Sequence, residues 1–275
     1  TFCDVWGSAA RSEAFDFELK TQIEKYKVHI RNRFKAQKFL VYFQAYTNTF
    51  TKVSELEKNF NIALESEDVV GFVIGTRPDC LSPAVLNLWE KFNQKSSVFV
   101  ELGVQSFFND DLEFMKRGHS AEASLEAIKK IKDNTSVDLG IHLIFGNPGE
   151  TLERIQQTAE ITNTLPITNV KLHNMHVLKN TTLEKIYNLG EFDPISLENY
   201  AERVALFLKH LRPDIALHRL SAFASRWDEL VAPAWTADKM GTHQYIIDFL
   251  RQNSVFQSQL YTEKNENEKI LKTHL

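Results

Sequence analysis

Val137-Asp-Leu-Gly-Ile-His-Leu-Ile-Phe145, followed directly by Gly146-Asn-Pro-Gly-Glu-Thr151, decides how this chain folds. A near-continuous apolar run rich in Ile and Leu suits a strand buried on both faces, as in a parallel sheet. Asn147-Pro-Gly149 then reads as a turn, and Thr151 stands where a helix would be capped. The turn has neither the Lys-Ser/Thr pair of a Walker motif nor the spacing of a dinucleotide fingerprint. Strand, tight turn and capped helix make one βα unit.

The same unit repeats in both directions. Apolar runs occur at Phe39–Phe43, Val69–Ile74, Val98–Leu102, Asn169–His173 and Ile215–Leu220. Helical stripes lie between them: Leu19, Ile23, Tyr26, Ile30 and Phe34; Leu56, Phe60 and Leu64; Val85, Leu88, Trp89 and Phe92; Leu125, Ile128 and Ile131; and Leu197, Tyr200, Val204, Phe207 and Leu211. Strand–helix alternation predicts a parallel sheet with helices outside it. Six strands fall short of the eight of a closed barrel, so the expected fold is α/β, a partial (β/α)6 TIM-like barrel. The rhythm stops near Ser221, which predicts a barrel over residues 1–220 and a mostly helical extension over 221–275. The charge run from Thr262 to Lys269 is expected to be solvated helix surface or a frayed tail.

The 275 residues are 43% hydrophobic and 25% charged, which excludes disordered, collagenous and coiled-coil classes. The apolar runs are too short to span a bilayer, and no membrane partner is expected. The first residues lack the charged lead and apolar stretch of a secretory leader. Two cysteines exclude a disulfide framework and predict a reducing, cytoplasmic setting. A net charge of −4 argues against a broad basic surface for nucleic acid. The basic run Arg31-Asn-Arg-Phe-Lys35 is read as a solvated helix face ahead of a phosphate patch.

In parallel α/β folds ligands bind at the C-terminal strand ends. Those ends are Gln44–Thr49, Gly75–Asp79, Gly103–Ser106, Gly146–Glu150 and His173–His176, and all of them are polar. Glu101, Asp79, His142, Lys171, His173 and His176 are candidates for substrate contact on the inner or mouth surface. Alternation puts Lys171, His173 and Met175 on one face and Leu172, Asn174 and His176 on the other, so His173 and His176 are not expected to point the same way without a bulge. No spacing among the histidines resembles a zinc motif, and Cys80 reads as structural.

Taken in order, Phe2-Cys3, Tyr42–Thr49, Ile74–Leu81, Val100–Ser106, Lys116–His119, His142–Thr151, Lys171–Leu178 and Ala232–Trp235 resemble the radical SAM superfamily. The resemblance is to its Elongator-catalytic-subunit-like group and the YhcC/YtqA-type bacterial branch. It implies a [4Fe–4S] cluster held by three cysteines with one iron left open for S-adenosylmethionine (SAM). Cys3 would be the last of those cysteines, with Phe2 packed near the adenine. The other two, and the first barrel strand, would then lie upstream of Thr1.

The resemblance also assigns SAM contacts. Thr47, Asn48 and Thr49 occupy the place of a Gly-Gly-Glu-type motif that receives the amino group; the acid is missing here. Thr76 and Arg77 follow Gly75, which stands where related groups carry a glutamate. Gln105 and Ser106 match residues against the ribose and methionyl parts. Arg117 matches an arginine that pairs with the carboxylate. Ile144 and Gly146 match the strand behind the adenine. The implied activity is reductive SAM cleavage giving a 5′-deoxyadenosyl radical for hydrogen abstraction, with tRNA wobble uridine as the indicated substrate. Flavodoxin or ferredoxin would supply the electron. Two rivals stay open: a lyase or hydrolase barrel using Glu101, Asp79 and His142 as acid–base groups, and a non-catalytic degenerate barrel.

Overall fold

The computed structural model describes residues 18–44, 47, 49–224 and 227–262. Phe2, Cys3, Asn48 and the charge run beyond Thr262 lie outside them. The elements run α1 (Leu19–Phe34), β1 (Phe39–Phe43), α2 (Val53–Glu65), β2 (Val69–Thr76), α3 (Pro83–Asn93), β3 (Ser97–Gln105), α4 (Asn109–Phe114), α5 (Ala121–Asn134), β4 (Asp138–Phe145) and α6 (Leu152–Thr164). They continue with β5 (Asn169–Asn174), β6 (Val177–Leu178), α7 (Thr182–Asn188), α8 (Leu197–His210), β7 (Ala216–Arg219), β8 (Leu230–Ala232), a short 3-10 turn (Ala234–Ala237) and α9 (Lys239–Gln252).

Six parallel strands form one sheet in the order β1-β2-β3-β4-β5-β7, the curled half-barrel that the six apolar runs predict. The chain adds a strand and then returns along the outside through a helix, which keeps successive strands parallel. Capping fixes where those helices begin. Ser82 accepts from Val85 N–H, Ser120 from Ala123 N–H, Thr151 from Arg154 N–H and Ser196 from Asn199 N–H.

The core lies between the sheet and the helices. Val98, Val100, Leu102 and Val104 of β3 and Leu139, Ile141, Leu143 and Phe145 of β4 point into it and are buried. Phe43, Phe60, Phe72 and Phe92 make an aromatic cluster between β1, β2, α2 and α3, with Phe60 stacked on Phe72 at 4.3 Å between ring centres. The alternate residues of each strand face the concave side of the arc. That side carries polar groups: Tyr42, Glu101, Gln105, His142, Lys171 and His173.

Beyond β7 the chain closes over one end. β8 pairs antiparallel with β6, a two-stranded ribbon that the apolar periodicity did not announce because each strand is only two or three residues long. Ile246 and Leu250 of α9 are buried in the main core, and Trp235 donates from Nε1 to the Ile195 carbonyl at 3.0 Å. Among the described residues no helix is long and apolar enough to cross a membrane.

Candidate active site

Two layers of polar groups occupy the C-terminal half of the sheet. The upper layer sits on the ends of β2 and β3 and centres on Gly103. A methyl group there would lie 2.9 Å from Gln105 Nε2, 3.3 Å from an Arg117 terminal nitrogen and 3.4 Å from the Thr76 carbonyl oxygen, so only glycine leaves the cradle between them open. Gln105 itself has φ +72°, a conformation uncommon for residues other than glycine. Arg117 donates to the Gly103 carbonyl at 3.2 Å, and Arg77 donates to the Arg117 carbonyl at 2.8 Å. Thr49 and Thr76 are both buried and share a hydroxyl–hydroxyl hydrogen bond. Five residues assigned from sequence to the cofactor, Thr49, Thr76, Arg77, Gln105 and Arg117, therefore meet at one place. Thr47 stands on the same loop, its carbonyl accepting from Phe50 N–H.

Ser106, Ile144 and Gly146 are adjacent but engaged in the fold. Ser106 Oγ donates to buried Asp111 at 2.6 Å, and burial raises the pKa of Asp111. The Ile144 carbonyl accepts from Asn147. Gly146 has φ +93° and gives its N–H to Glu150; a side chain there would run into Ile195 at 2.8 Å. Glycine at 146 thus answers a backbone requirement and a packing requirement of the fold itself.

The lower layer lies on the concave face and is built around Glu101. Glu101 accepts from Tyr42 OH, from His142 Nε2 at 2.9 Å and from Lys171 Nζ. His142 pairs with Lys171 across β4 and β5, while Glu101 of β3 has glycines as its register partners on both sides, Gly75 of β2 and Gly140 of β4, so Tyr42 of β1 reaches it across a residue without a side chain. Burial opposes the Glu101 charge, but the bonds from His142, Lys171 and Tyr42 outweigh it and hold the pKa at about 2. Burial lowers the His142 pKa and raises that of Tyr42, so His142 is neutral and Tyr42 stays protonated. The ammonium of Lys171 also lies 4.8 Å from the Tyr42 ring centre.

His173 and His176 come together, with ring centres 5.5 Å apart. The alternation expected of a continuous strand does not reach His176. β5 ends at Asn174 and the chain turns before β6, so the two-residue period no longer applies at 175 and 176. His173 Nδ1 lies 2.7 Å from the Asn174 carbonyl, and burial, then the charge of Arg219, holds its pKa well below the usual value. Asp79 does not join this layer. It pairs with Arg77 at 2.6 and 2.8 Å, a contact that holds its carboxyl below the usual range.

Two members of the concave layer were not singled out from sequence. Tyr42 sat inside a strand run, where alternation with Val41 and Phe43 was the available signal. Arg219 is the other, a charged residue within the apolar run of β7. A register shift between Val170 and Lys171 sets it opposite Lys171.

Comparison with known proteins identifies the family. The radical SAM superfamily model matches residues 1–161, and the Radical_SAM C-terminal domain model matches residues 167–252. Protein YhcC of Escherichia coli (strain K12) is 32% identical over 240 residues, covering 87% of this chain and 76% of YhcC. The tRNA uridine(34) acetyltransferase of Methanocaldococcus infernus is 32% identical over 165 residues, 59% of this chain but only 28% of that enzyme. The structure of Elp3 from Methanocaldococcus infernus superposes with a TM-score of 0.76 at 20% identity; 90% of this chain is covered and 62% of that one. A family model spanning more than half of the chain, and a 32% identity to YhcC over 87% of it, place this chain in the radical SAM superfamily of enzymes, which work with a [4Fe–4S] cluster and SAM.

Proposed function

We propose that this enzyme binds SAM in the cradle around Gly103 and directs hydrogen abstraction at a substrate held on the concave face below it. The carrying observation is the convergence of Thr49, Thr76, Arg77, Gln105 and Arg117 on one glycine whose missing side chain leaves room. When bound, the cluster and SAM supply a one-electron cleavage that yields the 5′-deoxyadenosyl radical.

The residues fit that cofactor. Arg117 offers a guanidinium suited to a carboxylate, and Thr49 and Thr76 offer hydroxyls that can accept from an ammonium. The Gln105 amide serves the ribose hydroxyls. Ser106 and Asp111 brace the end of β3, and Ile144 and Gly146 form the wall at the end of β4. Cys3, which lies outside the described residues with Phe2, would be a cluster ligand by resemblance. Burial and the neighbouring Asp79 raise the thiol pKa of Cys80, in line with a structural role.

Glu101 is poorly placed to be the base of an acid–base mechanism. A carboxylate held at about 2 by three donors takes up a proton poorly near neutral pH. It positions Tyr42, His142 and Lys171 instead, which weighs against the lyase or hydrolase reading.

For the substrate we infer the side chain of a tRNA wobble uridine, from the kinship to an enzyme named for tRNA uridine(34). The chain spans 28% of that enzyme, so its acetyl transfer is not carried over. A cytoplasmic flavodoxin or ferredoxin would supply the electron. The test is anaerobic reconstitution with iron and sulfide, followed by dithionite and SAM, with 5′-deoxyadenosine quantified by mass spectrometry. Product from the wild type and none from Cys3→Ala is expected; no iron and no product overturns the reading. Adding unmodified tRNA should raise the product yield, and an unchanged yield removes tRNA.

A further inference from the structure

The concave face carries a cation to which no carboxylate is hydrogen-bonded among the described residues; Glu101 acts on it only through space. Arg219 ends β7 beside Lys171, and its Nε donates to the Leu172 carbonyl at 3.2 Å. Its two terminal nitrogens have no hydrogen-bond partner among the described residues. Glu101, the acid of this layer, is already engaged by Tyr42, His142 and Lys171. Burial disfavours the guanidinium charge. A half-buried charge of this kind is costly unless something pairs with it. The groups around it are Tyr42, Tyr200, Glu101, His142 and His173, and the two histidines are kept neutral by burial.

We propose that Arg219 binds an oxyanion of the substrate, carboxylate or phosphate, on the concave face, with His173 beside it as a neutral hydrogen-bonding group. The two terminal nitrogens match two oxygens of such a group side by side. Within the proposed function, this anchors one end of the substrate below the SAM cradle. The inference rests on the concave face being the substrate chamber.

The test is calorimetric titration of the full-length, cluster-loaded protein, under anaerobic conditions and in saturating SAM, with inorganic phosphate and separately with acetate. Chloride keeps the ionic strength constant. Wild type should bind one of the two saturably. Arg219→Gln should weaken that binding at least about tenfold, and Arg219→Lys, which keeps the charge but loses the fork, should fall between. Preference for phosphate names a phosphate ester as substrate; preference for acetate names a carboxylic acid.

A second readout needs no variant. Histidine-labelled NMR of wild type should show the His173 pKa rising as the anion binds, because the depressing charge of Arg219 is then neutralised. No saturable binding, equal binding by wild type and Arg219→Gln, or an unmoved His173 overturns the proposal. So does binding seen only without SAM, which would make Arg219 part of the SAM cradle. If 5′-deoxyadenosine forms but no anion binds, this inference fails alone. If anions bind but SAM is not cleaved, the proposed function fails.

Discussion

Glu101 shows how one side chain can organise a face by gathering three donors. Its pKa of about 2 lies below the ordinary glutamate value of 4.5, so the stability it confers is present above about pH 4.5 and is lost as pH falls toward 2. Urea unfolding across that window should show wild type losing stability more steeply than Glu101→Gln. At neutral pH Glu101→Gln strands the Lys171 ammonium and should cost about 3 kcal/mol. Glu101→Gln/Lys171→Met should recover most of that loss. Equal unfolding midpoints for wild type and the single variant would mean that the network stabilises nothing. In the upper layer, Gly103→Ala places a methyl group against Gln105 and Arg117. SAM affinity by equilibrium dialysis should fall at least about tenfold with the circular dichroism unchanged, since the clash is with side chains that can move aside when the cradle is empty.

Legibility at this scale followed polarity. Residues at the polar strand ends were visible because a buried parallel strand has little reason to end in Thr, Arg or Gln. Their partners were not visible, because partnership depends on strand register. Nothing in the order of residues says that Lys171 would meet Glu101 or that Arg219 would slip into line beside it.

The elements divide by length. The longer runs gave strands where they were expected, because a mostly apolar segment of that length has few other ways to bury itself. The ribbon of β6 and β8 escaped notice, being too short for a period to develop. The caps are individually modest: Thr151→Ala should cost about 1 kcal/mol in thermal or urea unfolding. The aromatic cluster is worth more. Phe60 has no exposed surface and touches Phe43, Phe72 and Phe92, so Phe60→Ala should cost about 3–5 kcal/mol by the same measurement. A loss under 1 kcal/mol would show that α2 is not a load of the core but an ornament on it.

At the scale of the molecule, composition and charge excluded classes of protein without naming an activity; the ordered set of strand-end motifs did that. The segment after β7 had no rhythm to read, yet Ile246 and Leu250 sit in the same core as the sheet. Truncation after residue 238 should therefore abolish cooperative unfolding in calorimetry. A trimmed chain that still melts in one sharp transition would show that α9 is dispensable.

The arc has one more consequence. β1 and β7 are the two ends of the sheet among the described residues, and they are not hydrogen-bonded to one another. A closed ring is a well, reached only from its rim. Among the described residues the sheet is an open arc, and its curvature can change by small rotations shared among five strand pairings. Such a shape can change its width without breaking a single ladder.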